Sequence, residues 1–316
     1  MDLPPAAPAS AAAPALVATV TLNPAIDRTL VVSDFRTGAV NRAQWAGERA
    51  GGKGVNVAAA LAAQRVRCVA LGFLGADNAQ VFETFFAGLG IEDACQRLPG
   101  ATRVGLKLVD PVRGETTDLN FPGLAPGAGD LAELGRRLEV LNTQWCVLAG
   151  SLPPGVAVDF YAKAARCLRS RGVRVGVDTS GEALRHAAAA GPDFIKPNVH
   201  ELSEWAGRSL RDEAEVVAAA RELCLGGVGL VVVSLGAEGA VFVTEKETVR
   251  VRPPVITVRS TVGAGDAMVA GVVAAQLAAC SLADTARVAT EFSIRALLRG
   301  EAADVIAEAV SRVRVG

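Results

Sequence analysis

The chain has 316 residues, enough for one large α/β domain or two small ones with ample core. Its 32 basic and 33 acidic side chains leave a net charge of −1, which gives no electrostatic footprint for nucleic acid or an anionic membrane. Six cysteines without C-x-x-C spacing and only two histidines, His186 and His200, argue against a zinc site or a Ser-His-Asp hydrolase.

Residues 1–15 are rich in Ala and Pro and lack a basic start, so a disordered tail is expected there and not a signal peptide. Beyond it, short Val/Leu runs alternate with Ala-rich stretches of helical period. The pattern predicts a strand at Leu16–Thr21, a helix at Val55–Gln64, a strand at Arg67–Leu71, and helices at Ala79–Leu89 and Asp130–Leu141. It continues with a strand at Trp145–Leu148, a helix at Ala157–Ser170, a strand at Arg174–Asp178, a helix at Glu182–Ala190 and a strand at Phe194–Lys196. A helix at Glu213–Leu225, a strand at Leu230–Ser234 and a helix at Ala267–Ala279 complete it. Such alternation implies one domain over residues 16–316 with a mainly parallel sheet covered by helices. Two segments, 29–48 and 102–120, show strand-like alternation without helices. They are expected to leave the main sheet as an antiparallel lid, too small to be stable alone and therefore paired with the lid of a second subunit. The apolar run Ala267–Cys280 is too short to span a bilayer. The cysteines read as reduced core thiols of a cytoplasmic protein, and the histidines as surface residues.

Ligands of parallel sheets bind beyond the carboxyl ends of the strands. That singles out the loops Asn23–Asp27, Gly150–Gly155, Asp178–Gly181, Lys196–Glu201 and Ser234–Gly239. Two glycine clusters add chemistry. In Ser260-Thr261-Val262-Gly263-Ala264-Gly265-Asp266-Ala267-Met268-Val269 a glycine turn runs into an apolar helix. The exposed N–H groups and dipole at such a start attract phosphate. An aspartate beside a phosphate is repelled by it, so Asp266 is read either as a helix cap or as a base that takes a proton from an attacking hydroxyl. The second cluster, Gly51-Gly52-Lys53-Gly54-Val55-Asn56, lacks the Ser or Thr after lysine that a P-loop needs. It offers close backbone approach, a cation and an amide, which suit a sugar phosphate; the plain alternative is a tight turn with a solvated lysine.

The two clusters together resemble the paired signatures of the PfkB-type (ribokinase-like) carbohydrate kinases. The resemblance runs from about Val17 to Leu277 and includes Thr21–Asp27, Gly72–Asn78, Thr102-Arg103, Asp118–Phe121, Gly150–Gly155, Lys196-Pro197-Asn198 and Trp205–Arg208. It implies a three-layer α/β/α domain with a small β-sheet lid, a dimer formed through the lids, and ATP-dependent phosphorylation of a sugar phosphate with Mg²⁺. Whether K⁺ takes part stays open. Fructose 1-phosphate is the first substrate it implies, with tagatose 6-phosphate and fructose 6-phosphate as alternatives. A non-catalytic sugar-phosphate sensor on the same fold is the alternative of a different class. By the same resemblance Asp266 is the general base, and the N–H groups of Gly263, Ala264 and Gly265 are the anion hole. Asp27, Gly52, Lys53, Asn56 and Ser151 face the sugar, and Arg103, with Lys53 and Lys107, meets its existing phosphate. Lys196, Asn198, Ser234, Gly236 and Gly239 face the nucleotide, and Glu201 acts on Mg²⁺ through water. The bland alternatives are a turn cap for Asp27, a surface strand residue for Arg103 and a first-turn acid for Glu201. Two places depart from the family pattern: Ser293–Gly300 has no asparagine near the expected adenine site, and Gly105 stands where asparagine is common.

Overall fold

Strands with apolar residues at every position need cover on both faces, and here helices provide it. The computed structural model describes residues 16–256 and 261–316; the expected tail at 1–15 and Ser260 of the glycine-rich motif lie outside the described residues. In chain order the strands are β1 (Val17–Thr21), β2 (Ala25–Val31), β3 (Gln44–Gly51), β4 (Cys68–Gly75), β5 (Glu92–Asp93), β6 (Gln96–Leu98), β7 (Val104–Asp110) and β8 (Glu115–Asn120). They continue as β9 (Trp145–Ala149), β10 (Arg174–Asp178), β11 (Phe194–Ile195), β12 (Leu230–Ser234), β13 (Ala240–Val243), β14 (Thr248–Arg252) and β15 (Arg314–Val315). The helices are α1 (Lys53–Ala62), α2 (Gln80–Leu89), α3 (Ala128–Glu139), α4 (Phe160–Ser170) and α5 (Gly181–Ala188), then α6 (Val199–Ala206), α7 (Glu213–Leu225), α8 (Ala264–Leu277), α9 (Leu282–Leu297) and α10 (Ala303–Ser311).

The main sheet has the order β15-β14-β13-β12-β11-β10-β9-β1-β4-β5, with β6 also on β4. It is parallel from β12 to β5 and antiparallel from β12 to β15. Alternate residues of the strands enter two separate cores. Val17, Trp145, Val147 and Ala149 pack with α1, α2, α8, α9 and α10. Ala18, Val20, Cys146 and Leu148 pack with α3 to α7. The period-2 side-chain alternation of a strand thus splits one apolar run between two helical layers. Helix α8 is buried from Asp266 to Ala275 because α1 and α9 enclose it. Among the described residues no helix is long and apolar enough to cross a membrane, and all six cysteines are free thiols. His186 and His200 are exposed.

The lid is a four-stranded sheet of order β3-β2-β7-β8. It differs from the antiparallel expectation in its middle pairing, since β2 and β7 run parallel while the outer pairs are antiparallel. The cause is topological. β2 follows β1 and β7 follows β6, and both parent strands lie parallel within the main sheet, so both lid strands leave the same sheet edge in one direction.

Candidate active site

Helices α1 and α8 start side by side at the carboxyl edge of the sheet. Gly52 caps α1 with φ 124°, and a Cβ there would come within 2.9 Å of Thr21 and 3.2 Å of the Pro24 backbone, so only glycine lets the helix start against β1. Gly263 caps α8 with φ 83° and no side chain caps that helix. Asp266 is therefore not a cap. It lies in the first turn of α8, 9% exposed, and its Oδ2 accepts a hydrogen bond from Asn56 Nδ2 at 2.7 Å. Asn56 Oδ1 in turn accepts from Arg49 Nη2 at 3.0 Å.

Asp178, at the end of β10, is 1% exposed and sits between two cations: Lys53 Nζ at 3.0 Å and Lys196 Nζ at 3.7 Å, both to Oδ1. Its buried Oδ2 has no hydrogen-bond partner. Lys196 is 6% exposed and lies against the α8 start, since a Cβ on Gly265 would stand 3.3 Å from its Nζ. Two lysines and two aspartates thus share one low-dielectric space. Burial, reinforced by the neighbouring Asp178 charge, pushes the Asp266 carboxyl up to about 6 against the opposing influence of Asn56, Lys53 and Lys196. Burial opposes the charge of Lys53, yet the Asp178 carboxylate overcomes it and holds the ammonium above its ordinary pKa. The Ala264 N–H makes a long, 3.3 Å bond to Thr261 O.

A second group lies on the lid. Asp27 is packed over Gly51 and Gly105, where a Cβ would meet its oxygens at 2.7 and 3.0 Å. Gly105, the departure from the family pattern, therefore makes room for this carboxylate. Lys107 Nζ is 4.0 Å from Asp27 and 3.1 Å from Asp118. Burial raises the Asp27 pKa, with Lys107, Arg49 and Arg103 opposing. The Arg103 guanidinium donates to the carbonyls of Pro24, Phe121 and Asn23, and burial lowers its pKa. Ser151 Oγ accepts from Asn23 Nδ2 at 3.0 Å. Arg49 joins the two groups, because it stands opposite Asp27 in the β2–β3 register and touches Asn56.

On the other side of α8 opens a cavity of about 500 Å³. Asn198, Ser234, Gly236, Gly239, Ala264 and Gly265 form one wall, and Ile256, Met268, Ile294 and Leu297 an apolar one. The altered 293–300 segment contributes Ser293, whose hydroxyl donates to Ala264 O at 2.8 Å and ties α9 to the start of α8. Asn198 and Glu201 form a reciprocal capping box at α6, each side chain accepting the other's N–H at 2.9 Å. Glu201 keeps an electrostatic hold on Lys53. Among the described residues no three carboxylate, imidazole or thiol groups converge as a metal cage. Glu201, hydrogen-bonded to the cavity-lining Asn198, offers one carboxylate, and a Mg²⁺ held mainly by phosphates takes few from the protein.

The expected residues are thus gathered in three adjoining groups: Asp266, Asn56, Lys53 and Lys196 with the 263–265 turn; Asp27, Arg103 and Lys107 on the lid; and Asn198, Ser234, Gly236 and Gly239 along the cavity. Lys53 and Arg103 do not share a partner. Asp178 opens one of the strand-end loops read as candidate sites but was assigned no role, and Arg49 was not singled out by sequence reasoning. The available signals were an acid ending a buried strand and a cation just ahead of the Gly51-Gly52 break.

The pfkB family carbohydrate kinase model matches residues 17–307. A 1-phosphofructokinase of Rhodobacter capsulatus is 51% identical over 284 residues, covering 89% of this chain and 90% of its own. Another, of Xanthomonas campestris pv. campestris, is 46% identical over 299 residues, covering 92% and 94%. Phosphofructokinase-2 from Escherichia coli, solved in complex with substrates and products, superposes with a TM-score of 0.88 at 29% identity, covering 93% of this chain and 98% of that one. The chain belongs to the pfkB family of carbohydrate kinases.

Proposed function

We propose that this protein transfers the γ-phosphoryl group of ATP to the 6-hydroxyl of fructose 1-phosphate, giving fructose 1,6-bisphosphate and ADP. The observation that carries the proposal is the placement of Asp266 between the lid group and the cavity, buried yet held as an acceptor by Asn56. Asp266 removes the hydroxyl proton as that oxygen attacks the γ-phosphorus in line. Lys196 and the N–H groups of the 263–265 turn receive the charge that develops on the transferred group. Glu201 would help hold a Mg²⁺ brought in with the nucleotide, which would supply positive charge against the phosphates. Asp27 and Ser151 take sugar hydroxyls. Arg103 and Lys107 are the cations gathered beside Asp27 and are assigned the phosphate the sugar already carries, while Lys53 is turned to Asp178. Relatives of 51% and 46% identity bearing the name 1-phosphofructokinase support the choice of substrate. Free thiols fit a cytoplasmic enzyme, and the lid fits a homodimer.

A coupled ADP-release assay with Mg-ATP and fructose 1-phosphate, fructose 6-phosphate, tagatose 6-phosphate or ribose tests the reading. The highest kcat/KM is expected with fructose 1-phosphate. A clear preference for one of the other sugar phosphates moves the substrate assignment, and ADP release with none of them, while an ATP analogue fails to bind, leaves the sensor alternative standing.

A further inference from the structure

We propose that Arg49 is a positioning residue that keeps Asp266 ionised and correctly turned by fixing the orientation of the Asn56 amide. The proposal rests on the reading of Asp266 as general base. The geometry is a two-bond chain: Arg49 Nη2 to Asn56 Oδ1 at 3.0 Å, and Asn56 Nδ2 to Asp266 Oδ2 at 2.7 Å. A primary amide is ambidextrous, with an acceptor oxygen on one side and donor hydrogens on the other. A guanidinium can only donate. With Arg49 in place the amide oxygen belongs on the lid side, and its N–H faces Asp266. That arrangement matches an ionised carboxylate oxygen and opposes a proton on Oδ2. A flipped amide would set its hydrogens against Arg49 and offer Asp266 an acceptor, which rewards the protonated, inactive form.

The surroundings make this control necessary. The charged groups facing Asp266 are Asp178 from β10, Lys53 from α1 and Lys196 from the turn after β11. Both lysines are already engaged with Asp178, so the opposing charges are shared. Burial favours a proton on the base, and the Arg49–Asn56 chain works against it through the direction of its hydrogen bonds. Both members lie within residues 49–56, on either side of the glycine break that joins lid strand β3 to α1. Arg49 is also the cross-strand neighbour of Asp27, the proposed sugar contact. The residue therefore ties the lid's position over the sugar to the state of the base.

The experiment combines pH profiles of kcat for the wild type, Arg49→Met, Arg49→Lys, Asn56→Ala and the Arg49→Met/Asn56→Ala double variant with a substrate-free titration of Asp266. The titration follows the aspartate side-chain ¹³C resonance identified by its loss in Asp266→Asn. Arg49→Met is expected to lower kcat about tenfold and to move the acidic limb and the Asp266 titration upward by on the order of one pH unit. Arg49→Lys keeps a donor and recovers most of the shift. In the Asn56→Ala background the Arg49 substitution adds no further shift, because the amide it acts through is gone. Multiplicative losses in the double variant, or a raised KM for the sugar phosphate with an unmoved titration, overturn the proposal and make Arg49 a substrate contact. Should the titration move as expected while the wild type phosphorylates no sugar phosphate, the kinase assignment fails and the coupling survives.

Discussion

As the proposed general base, Asp266 is worth more to the reaction than to the fold. Burial and Asp178 raise its pKa to about 6, so the base loses its proton above that value and kcat should fall as pH drops through it. Asp266→Asn removes proton abstraction and is expected to lower kcat by about 10²–10⁴-fold in the ADP-release assay. The same raised pKa has the opposite consequence for stability. The native state holds the proton more tightly than the unfolded chain, so the carboxyl contributes stability below the ordinary aspartate value of 3.8 and loses it as pH rises through about 6. Near pH 8 the native protein keeps a buried charge that asparagine does not have. Asp266→Asn should therefore melt at a higher temperature there, gaining up to roughly 3 kcal/mol, and the gap should close towards pH 4 in calorimetric scans. Asp178 presents the reverse case, for its loss strips the Lys53 and Lys196 ammoniums of the carboxylate they share. Asp178→Ala is expected to cost about 3–5 kcal/mol by urea unfolding. At this scale the sequence is legible where glycine spacing marks a helix start, as at Gly52 and Gly263. It is silent where a role arises only from contact: Lys53 meets Asp178 across 125 positions and Asn56 meets Asp266 across 210. Neither Asp178 nor Arg49 belongs to a local pattern that distinguishes it from other strand-end acids and basic residues.

The relation between α8 and α9 carries both the base and the cavity. Gly271 of α8 faces α9 so closely that a Cβ would stand 2.5 Å from Ala289 Cα and 3.1 Å from its nitrogen. Alanine at that position would gain up to about 1 kcal/mol in helix propensity. The clash is with backbone, which cannot rotate away, and overpacking of this kind costs about 1–3 kcal/mol, so packing wins. Gly271→Ala is expected to lower Tm and to raise the KM for ATP more than it lowers kcat. Separating the helices moves Ser293 off Ala264 at the cavity, whereas Asn56 approaches Asp266 from the α1 side. Steady-state kinetics with a thermal melt checks both. Elements were legible where burial left a regular apolar pattern. β10, β12 and α7 match the pattern reading end for end: the two strands are short apolar runs between turns, and α7 shows a buried stripe at helical spacing behind an Asp212 cap. Helix α8 starts three residues before its apolar run because the glycine turn itself forms the first helical residues. The β13–β14 hairpin escaped a reading tuned to β-α alternation, although Thr248-Val249-Arg250-Val251-Arg252 alternates in the manner of a strand. Helix α6 is only eight residues long and is marked by its Asn198–Glu201 capping box more than by periodicity.

For the whole molecule, assembly turns on the two faces of the lid. Register places Asp27, Arg49, Gly105, Lys107, Asp118 and Asn120 on one face, and their contacts turn it towards Asn56 and Asp266. The opposite face carries Leu30, Trp45, Leu106, Leu108 and Leu119 together with the Arg28–Glu48 ion pair, whose guanidinium lies over the Trp45 ring. Leu30, Leu106 and Leu108 are half-buried, while Trp45 is 60% and Leu119 46% exposed. An open sheet with one wet, charged face and one mainly apolar face lacks cover on the second, and a second copy can supply the same surface by two-fold symmetry. The wild type is therefore expected to sediment at twice the chain mass at micromolar concentration. Trp45→Glu combined with Leu119→Glu tests which surface is responsible. In a monomer these exposed positions tolerate charge within about 0.5 kcal/mol, whereas buried between two lids they would place four carboxylates in an apolar interface. The double variant should sediment as a monomer with an unaltered KM for ATP and a raised KM for the sugar phosphate, because an uncovered lid holds Asp27, Arg103 and Lys107 less firmly. A variant that still sediments as a dimer would assign the contact to another surface, and a wild type that remains monomeric would leave the lid to stand on its packing against the domain alone.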